Sequence, residues 1–143
     1  VTTALDTNIL VALWSGTDEV IRAVQASMER AQRQGGLLIA PPVYAELIAA
    51  PQREIDVVKT FLDRARIHVD WTLDATVWRT AALAFRGYAQ RRRAQTGDAG
   101  PRRILADFVI GAHALSAGAA LMTLDQRLYH VAFPALNVIV PAE

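Results

Sequence analysis

Short apolar runs alternate with helical stretches from one end of the chain to the other, and that alternation leaves few architectures open. Residues 2–5, 37–40, 67–71, 119–124 and 136–140 read as short strands, most of them apolar throughout. Between them lie segments with helical spacing. Thr17, Asp18 and Glu19 open a helix whose stripe of Val20, Ile21, Val24, Met28 and Ala31 runs until Gly35 and Gly36. Pro41 and Pro42 suit the first turn of another, and Ile55, Val58, Phe61, Leu62 and Ala65 mark a third. Asp74 caps a long helix with Val77, Ala81, Phe85 and Tyr88 on one face and Trp78 packed beside them. Ile104, Phe108, Ile110, Ala114 and Leu115 recur at helical spacing before Gly118, and residues 126–133 form one or two further turns. Such a pattern predicts an α/β fold: a doubly wound parallel sheet covered by helices on both faces, with residues 67–71 at an edge because His68 and Asp70 interrupt that run. At 143 residues the chain fits a single domain spanning 1–143.

Composition removes several classes of function. No cysteine is present, so disulfides, thiolate metal sites and thiol catalysis are excluded, and a reducing compartment is permitted. His68, His113 and His130 are too scattered for a metal-ligand spacing and read as structural or surface residues. Asp6 interrupts the first apolar stretch and no positive residue precedes it, so a signal peptide is not legible and a cytoplasmic location is expected. The longest uncharged run, residues 108–124, contains Gly111, His113, Ser116 and Gly118, which suits a buried helix followed by a buried strand and not a membrane span.

Four acids stand where such a fold gathers ligands, at the carboxyl ends of its strands. Asp6 and Asp125 each leave a strand at that edge, while Glu46 and Asp107 fall in early turns of helices that start there. Each has a plain structural role on its own. Asp6, Thr7 and Asn8 suit a helix cap, Glu46 can face solvent, Asp107 can favour the positive end of its helix, and Asp125 can open a turn. Four carboxylates converging without a lysine or arginine of their own would repel one another. Such a cluster is stable only if it takes up protons or holds a cation. Carboxylate oxygens without thiol or imidazole suit Mg²⁺ or Mn²⁺ better than Zn²⁺. Such an ion readies a water and stabilises charge on a phosphoryl oxygen.

Net charge is only +1, yet it is unevenly spread. Arg86, Arg91, Arg92, Arg93, Arg102 and Arg103 face a single acid, Asp98, in a stretch that Gly97, Gly100 and Pro101 turn partly into a loop. A solvated helix end explains some of this. Because the stretch leads directly into Asp107, a polyanion held by it would be delivered to the carboxylates, which points to a nucleic-acid phosphodiester as substrate.

The motifs resemble those of the PIN-domain nucleases, and among them the VapC-like ribonuclease toxins of toxin-antitoxin pairs. ALDTNIL, PPVYAELI, ADFVIGAHAL and LMTLD are similar to the four family motifs in order, and FPALNVIVP to the last strand. The resemblance implies a three-layer α/β/α fold with a five-stranded, mainly parallel sheet, and Asp6, Glu46, Asp107 and Asp125 as the metal-binding catalytic acids. It implies that Asn8 and Thr123 orient them and that RNA is the substrate, and the basic stretch read above then makes Arg91, Arg92, Arg93, Arg102 and Arg103 the residues expected to contact it. It also implies a homodimer and a cognate antitoxin whose tail occupies the site. One departure is Leu124, where the family often has a basic or polar residue before its last acid. Two other readings stay open: a non-catalytic RNA-binding or regulatory module of the same fold, and a phosphoaspartyl phosphatase with Asp6 as nucleophile, which would want an aspartate where Asn8 stands.

Overall fold

A computed structural model describes residues 1–51, 53–95, 97 and 102–143. Its elements run β1 (Thr3–Leu5), α1 (Thr7–Ser15), α2 (Asp18–Gln34), β2 (Leu37–Ile39), α3 (Pro41–Ala49), α4 (Ile55–Arg64), β3 (Ile67–Val69), α5 (Ala75–Ala94), α6 (Leu105–Ser116), β4 (Ala120–Met122), α7 (Gln126–Ala132) and β5 (Val138–Ile139). Local chemistry sets most of the boundaries. Thr17 accepts the Val20 N–H at 3.3 Å and Asp74 the Val77 N–H at 3.1 Å, each filling an otherwise unpaired donor of the first helical turn. Pro41 supplies a ready-made first turn for α3. Gly118 ends α6 with φ +66°, a conformation that favours glycine, and the Ala119 N–H then reaches back to the Ala114 carbonyl at 3.0 Å.

The sheet is parallel throughout, in the order β3-β2-β1-β4-β5, with β3 at one edge. From β1 the chain first builds outward through β2 to β3, then crosses to the other side of β1 for β4 and β5. The order therefore reverses between β1 and β4, and the carboxyl ends of those two strands form the crevice where such sheets bind ligands. Leu5 pairs with Met122 at that end, so Asp6 and Thr123 are the first residues beyond the paired rungs.

Sheet residues Leu5, Ile39, Leu121 and Met122 are fully buried beneath the helices, among them Ile9 and Leu10 of α1 and Phe108 and Ile110 of α6. The Phe108 ring packs against Phe85 and Tyr88 of α5, with centroids 4.9 and 5.4 Å away. Two expectations about apolar residues need correction. Trp78 is 45% exposed and lies outside the α5 stripe, and Ile104, 56% exposed, is the extended residue before α6 and not part of its buried face. In both cases a large apolar side chain looked like core by type, and the rotation of the helix, or its starting residue, turned it outward.

On α6, Gly111 leaves room for the buried Phe133 ring: a Cβ there would lie 2.3 Å from the nearest ring carbon. Gly111→Ala is expected to destabilise the protein by about 1–3 kcal/mol, since the ring must leave its place in a packed core. A urea melt checks this, and an unchanged midpoint would show that the ring moves freely.

Candidate active site

The crevice between β1 and β4 is built around one hydroxyl. Thr123, fully buried at the exit of β4, donates from Oγ1 to Asp6 Oδ2 at 2.8 Å. The same oxygen accepts the Asp125 N–H at 2.9 Å and the Asn8 side-chain amide at 3.4 Å, so its one proton and both lone pairs are used. Asn8 closes the clamp by accepting the Leu124 N–H at 3.1 Å. A strand end carrying Asp6, a helix start carrying Asn8 and the turn carrying Asp125 are thus locked together. That is a geometric basis for Asn8 and Thr123 as orienting groups.

Asp6 is buried, and its other oxygen accepts the Thr7 N–H at 2.7 Å. Burial pushes its carboxyl up to about 6, against the lowering effect of Thr123 and Thr7, and the charge of Asp107 adds to the rise. Asp107 sits in the first turn of α6, where one oxygen accepts the Ile104 N–H at 3.2 Å. The plain role as a helix-start acid is therefore real, but it leaves the second oxygen over. Burial raises Asp107 as well, and Asp125 adds to the rise while the Ile104 N–H and Arg103 oppose it. Asp6, Asp107 and Asp125 consequently share one field. Glu46 is half-buried one turn into α3 and is tied to the site through Thr7, whose hydroxyl donates to Glu46 Oε1 at 2.6 Å.

The expectation that the acids have no cation of their own is corrected by Arg103. Its guanidinium forms an ion pair with Asp125, Nη1 to Oδ2 and Nη2 to Oδ1, and its backbone N–H is held by the Tyr88 hydroxyl at 2.7 Å. Spacing alone placed Arg103 in a loop before the helix; the fold brings that loop over the exit of β4. The other arginines divide. Arg91, Arg92 and Arg93 stand in the last turn of α5, not in a loop, with Arg91 and Arg93 exposed and Arg92 half-buried, and Arg102 is exposed. Asp98, Gly100 and Pro101 lie outside the described residues.

Two further residues carry no signal that composition or spacing exposes. Tyr129, on the buried face of α7, is near enough to Asp6, Asp107 and Asp125 for their charges to act on it, and its buried hydroxyl lies beside the Asp6 carboxylate, which it helps to lower, without reaching ideal hydrogen-bond geometry. Burial first, then those carboxylates, push its ionisation far above the ordinary tyrosine range, so it is a permanent neutral donor. His113 is buried in α6 and bonded through Nε2 to Asp70 at 2.9 Å, as a structural histidine. Burial acts to raise Asp70, but the Thr72 N–H and the His113 ring outweigh it and hold the carboxyl below its usual range.

The donor set in the crevice consists of carboxylates and hydroxyls, hard oxygens of the kind that hold Mg²⁺ or Mn²⁺. The residues fit such an ion in chemistry. Among the described residues no three acids or histidines stand close enough to grip one as they are, and Arg103 engages Asp125 while Thr7 engages Glu46.

The comparisons with known proteins agree with this architecture. The solved structure of VapBC-1 from nontypeable Haemophilus influenzae matches with a TM-score of 0.69 at 19% identity, covering 98% of each chain. VapBC2 from Rickettsia felis, bound to a DNA fragment from its promoter, matches at 0.68 and 17% identity over 99% of this chain and 100% of that one. FitAcB from Neisseria gonorrhoeae matches at 0.64 and 19% identity over 96% of both. No curated protein sequence matches the chain. The PIN-domain family model matches residues 3–134, a span that runs from β1 through Asp6, Glu46, Asp107 and Asp125 to the end of α7, and the chain belongs to the PIN-domain family.

Proposed function

We propose that this protein is a metal-dependent ribonuclease, the toxin of a VapBC-type pair, which cleaves RNA phosphodiester bonds and is restrained by a cognate antitoxin. The observation that carries the reading is that Asp6 and Asp125 leave the strands of the β1/β4 switch point within the field of Asp107, with burial and neighbouring charge raising Asp6 and Asp107. Acids held in that state favour a bound cation. When bound, Mg²⁺ or Mn²⁺ supplies the charge that readies a water and stabilises a phosphoryl oxygen. Asp6, Asp107, Asp125 and Glu46 supply the oxygens that hold it. Thr123 and Asn8 keep Asp6 and the Asp125 turn in register, and Thr7 steers Glu46 toward the same crevice. Tyr129 offers a neutral hydroxyl beside Asp6.

The structural neighbours are toxin-antitoxin assemblies, which supports an antitoxin partner. A homodimer is part of the same reading, and Trp71, Trp78 and Leu83 provide exposed apolar side chains of the kind such an interface buries. A cytoplasmic setting is likewise proposed; no helix among the described residues is long and apolar enough to cross a membrane.

The test is cleavage of mixed-sequence RNA with Mg²⁺ or Mn²⁺ and with a chelator. Cleavage is expected only with metal, and Asp107→Asn is expected to lower it at least about a hundredfold. Binding without cleavage by the wild type would favour the non-catalytic module instead. For the arginines, Arg91→Ala with Arg93→Ala is expected to flatten the salt dependence of single-stranded RNA binding. The log-log slope falls by roughly 0.7 for each phosphate the protein no longer neutralises. An unchanged slope would leave both residues as a solvated helix end.

A further inference from the structure

We propose that Arg103 is a resident rival of the metal: it occupies Asp125 when the site holds no ion, and once displaced it serves as the positioning residue for the substrate phosphate. This rests on the nuclease reading above. Arg103 faces both oxygens of Asp125, and the two side chains are only 23% and 29% exposed. A guanidinium facing both oxygens of a carboxylate uses their inward lone pairs and sets a positive charge where a divalent ion would sit, so the two occupants compete. Among the described residues the Asp125 side chain bonds to no group but Arg103. Asp125 stands at the start of α7 without capping it, so releasing Arg103 costs no helix its cap.

The anchor of Arg103 makes it a swinging group and not a loose one. Its backbone N–H is held by the Tyr88 hydroxyl at 2.7 Å, and the Tyr88 ring lies 5.4 Å from Phe108 and 6.3 Å from Phe85, inside the α5–α6 seam. The main chain therefore stays beside the acids whichever partner the side chain takes. Arg103 also acts on Asp107, lowering it, so the guanidinium stands within the field of two of the acids. A guanidinium displaced from Asp125 remains next to the crevice, and its planar fork matches two oxygens of a phosphate as well as it matches a carboxylate. An empty site is thus kept neutralised by the same group that binds substrate in the loaded one.

The experiment measures Mn²⁺ binding by titration calorimetry, and cleavage of a mixed-sequence single-stranded RNA at saturating Mn²⁺, for the full chain as wild type, Arg103→Gln and Arg103→Lys. Arg103→Gln is expected to bind Mn²⁺ about tenfold tighter yet cleave more slowly at saturation, because one substitution removes both the rival and the group that holds the phosphate. Arg103→Lys keeps the charge and loses the fork, and its Mn²⁺ affinity is expected to fall between the two. Mn²⁺ affinity that is unchanged or weaker in both variants, with wild type binding metal and cleaving RNA, overturns the role of Arg103 and leaves the nuclease reading standing. If neither wild type nor variants bind Mn²⁺, the nuclease reading fails and this inference with it.

Discussion

Replacing Asp6 with asparagine is expected to stabilise the metal-free protein by about 1–2 kcal/mol at pH 8 while abolishing cleavage, a melting rise of roughly 3–6 °C. Burial lifts the Asp6 carboxyl from 3.8 to about 6 in the folded protein. Between those values the folded state binds more protons than the unfolded one, so this group's contribution to stability falls as pH rises from about 4 to 6. Above pH 6 the full cost is present, of the order of 3 kcal/mol for a shift of this size. Asparagine removes the charge and keeps an oxygen for the Thr7 N–H. It gives up part of the gain because it replaces the oxygen that accepts from Thr123. The advantage of the variant should therefore be widest at pH 7–8 and close as pH falls toward 4. Added Mg²⁺ or Mn²⁺ should narrow the gap at neutral pH, since ten times Kd of metal stabilises the wild type by about 1.4 kcal/mol and the variant by less. Thermal melts of both proteins at pH 4.5, 6 and 8, with chelator and with metal, provide the measurement. A gap that does not change with pH would show that Asp6 carries no raised carboxyl.

Thr123→Val is expected to act in the opposite direction, costing about 2–4 kcal/mol at neutral pH. The side chain keeps its volume and loses its hydroxyl, which strands the Asp125 N–H, the Asn8 amide and one oxygen of buried Asp6. Because the Thr123 hydroxyl is the largest influence lowering Asp6, its loss should also move the Asp6 carboxyl further up. The cost should therefore shrink in acid, where Asp6 is protonated in both proteins. Urea unfolding at pH 5 and pH 8 tests this. A loss below about 0.5 kcal/mol at both would mean that water replaces the hydroxyl and that the crevice is wetter than the burial of Thr123 implies. With Asp6→Asn, the pair separates two properties of one site: removing its charge stabilises, and removing its scaffold destabilises.

The order of amino acids determined what depends on near neighbours. Helix starts at Thr17, Pro41 and Asp74 and the helix stop at Gly118 were legible because each cap is a contact within a few residues. The alternation of apolar runs led to a parallel sheet with residues 67–71 at its edge, because periodicity records which face of each element must be buried. Asp6, Glu46, Asp107 and Asp125 stood out in the sequence because they recur at equivalent ends of elements. Tertiary structure alone decided how those acids are held. Thr123 reaches Asp6 across 117 residues, Thr7 reaches Glu46 across 39, Asp70 meets His113 across 43, and Arg103 covers Asp125 across 22. None of these pairs has a spacing that a helix or strand repeats; each exists because the tertiary fold brings distant segments together, Thr123 and Asp6 at the switch between β1 and β4. For the same reason Arg103, which by position in the chain belonged with the surface arginines, became the one described cation seen on the acids. Tyr129, an ordinary apolar-face residue by pattern, came to set its hydroxyl beside Asp6.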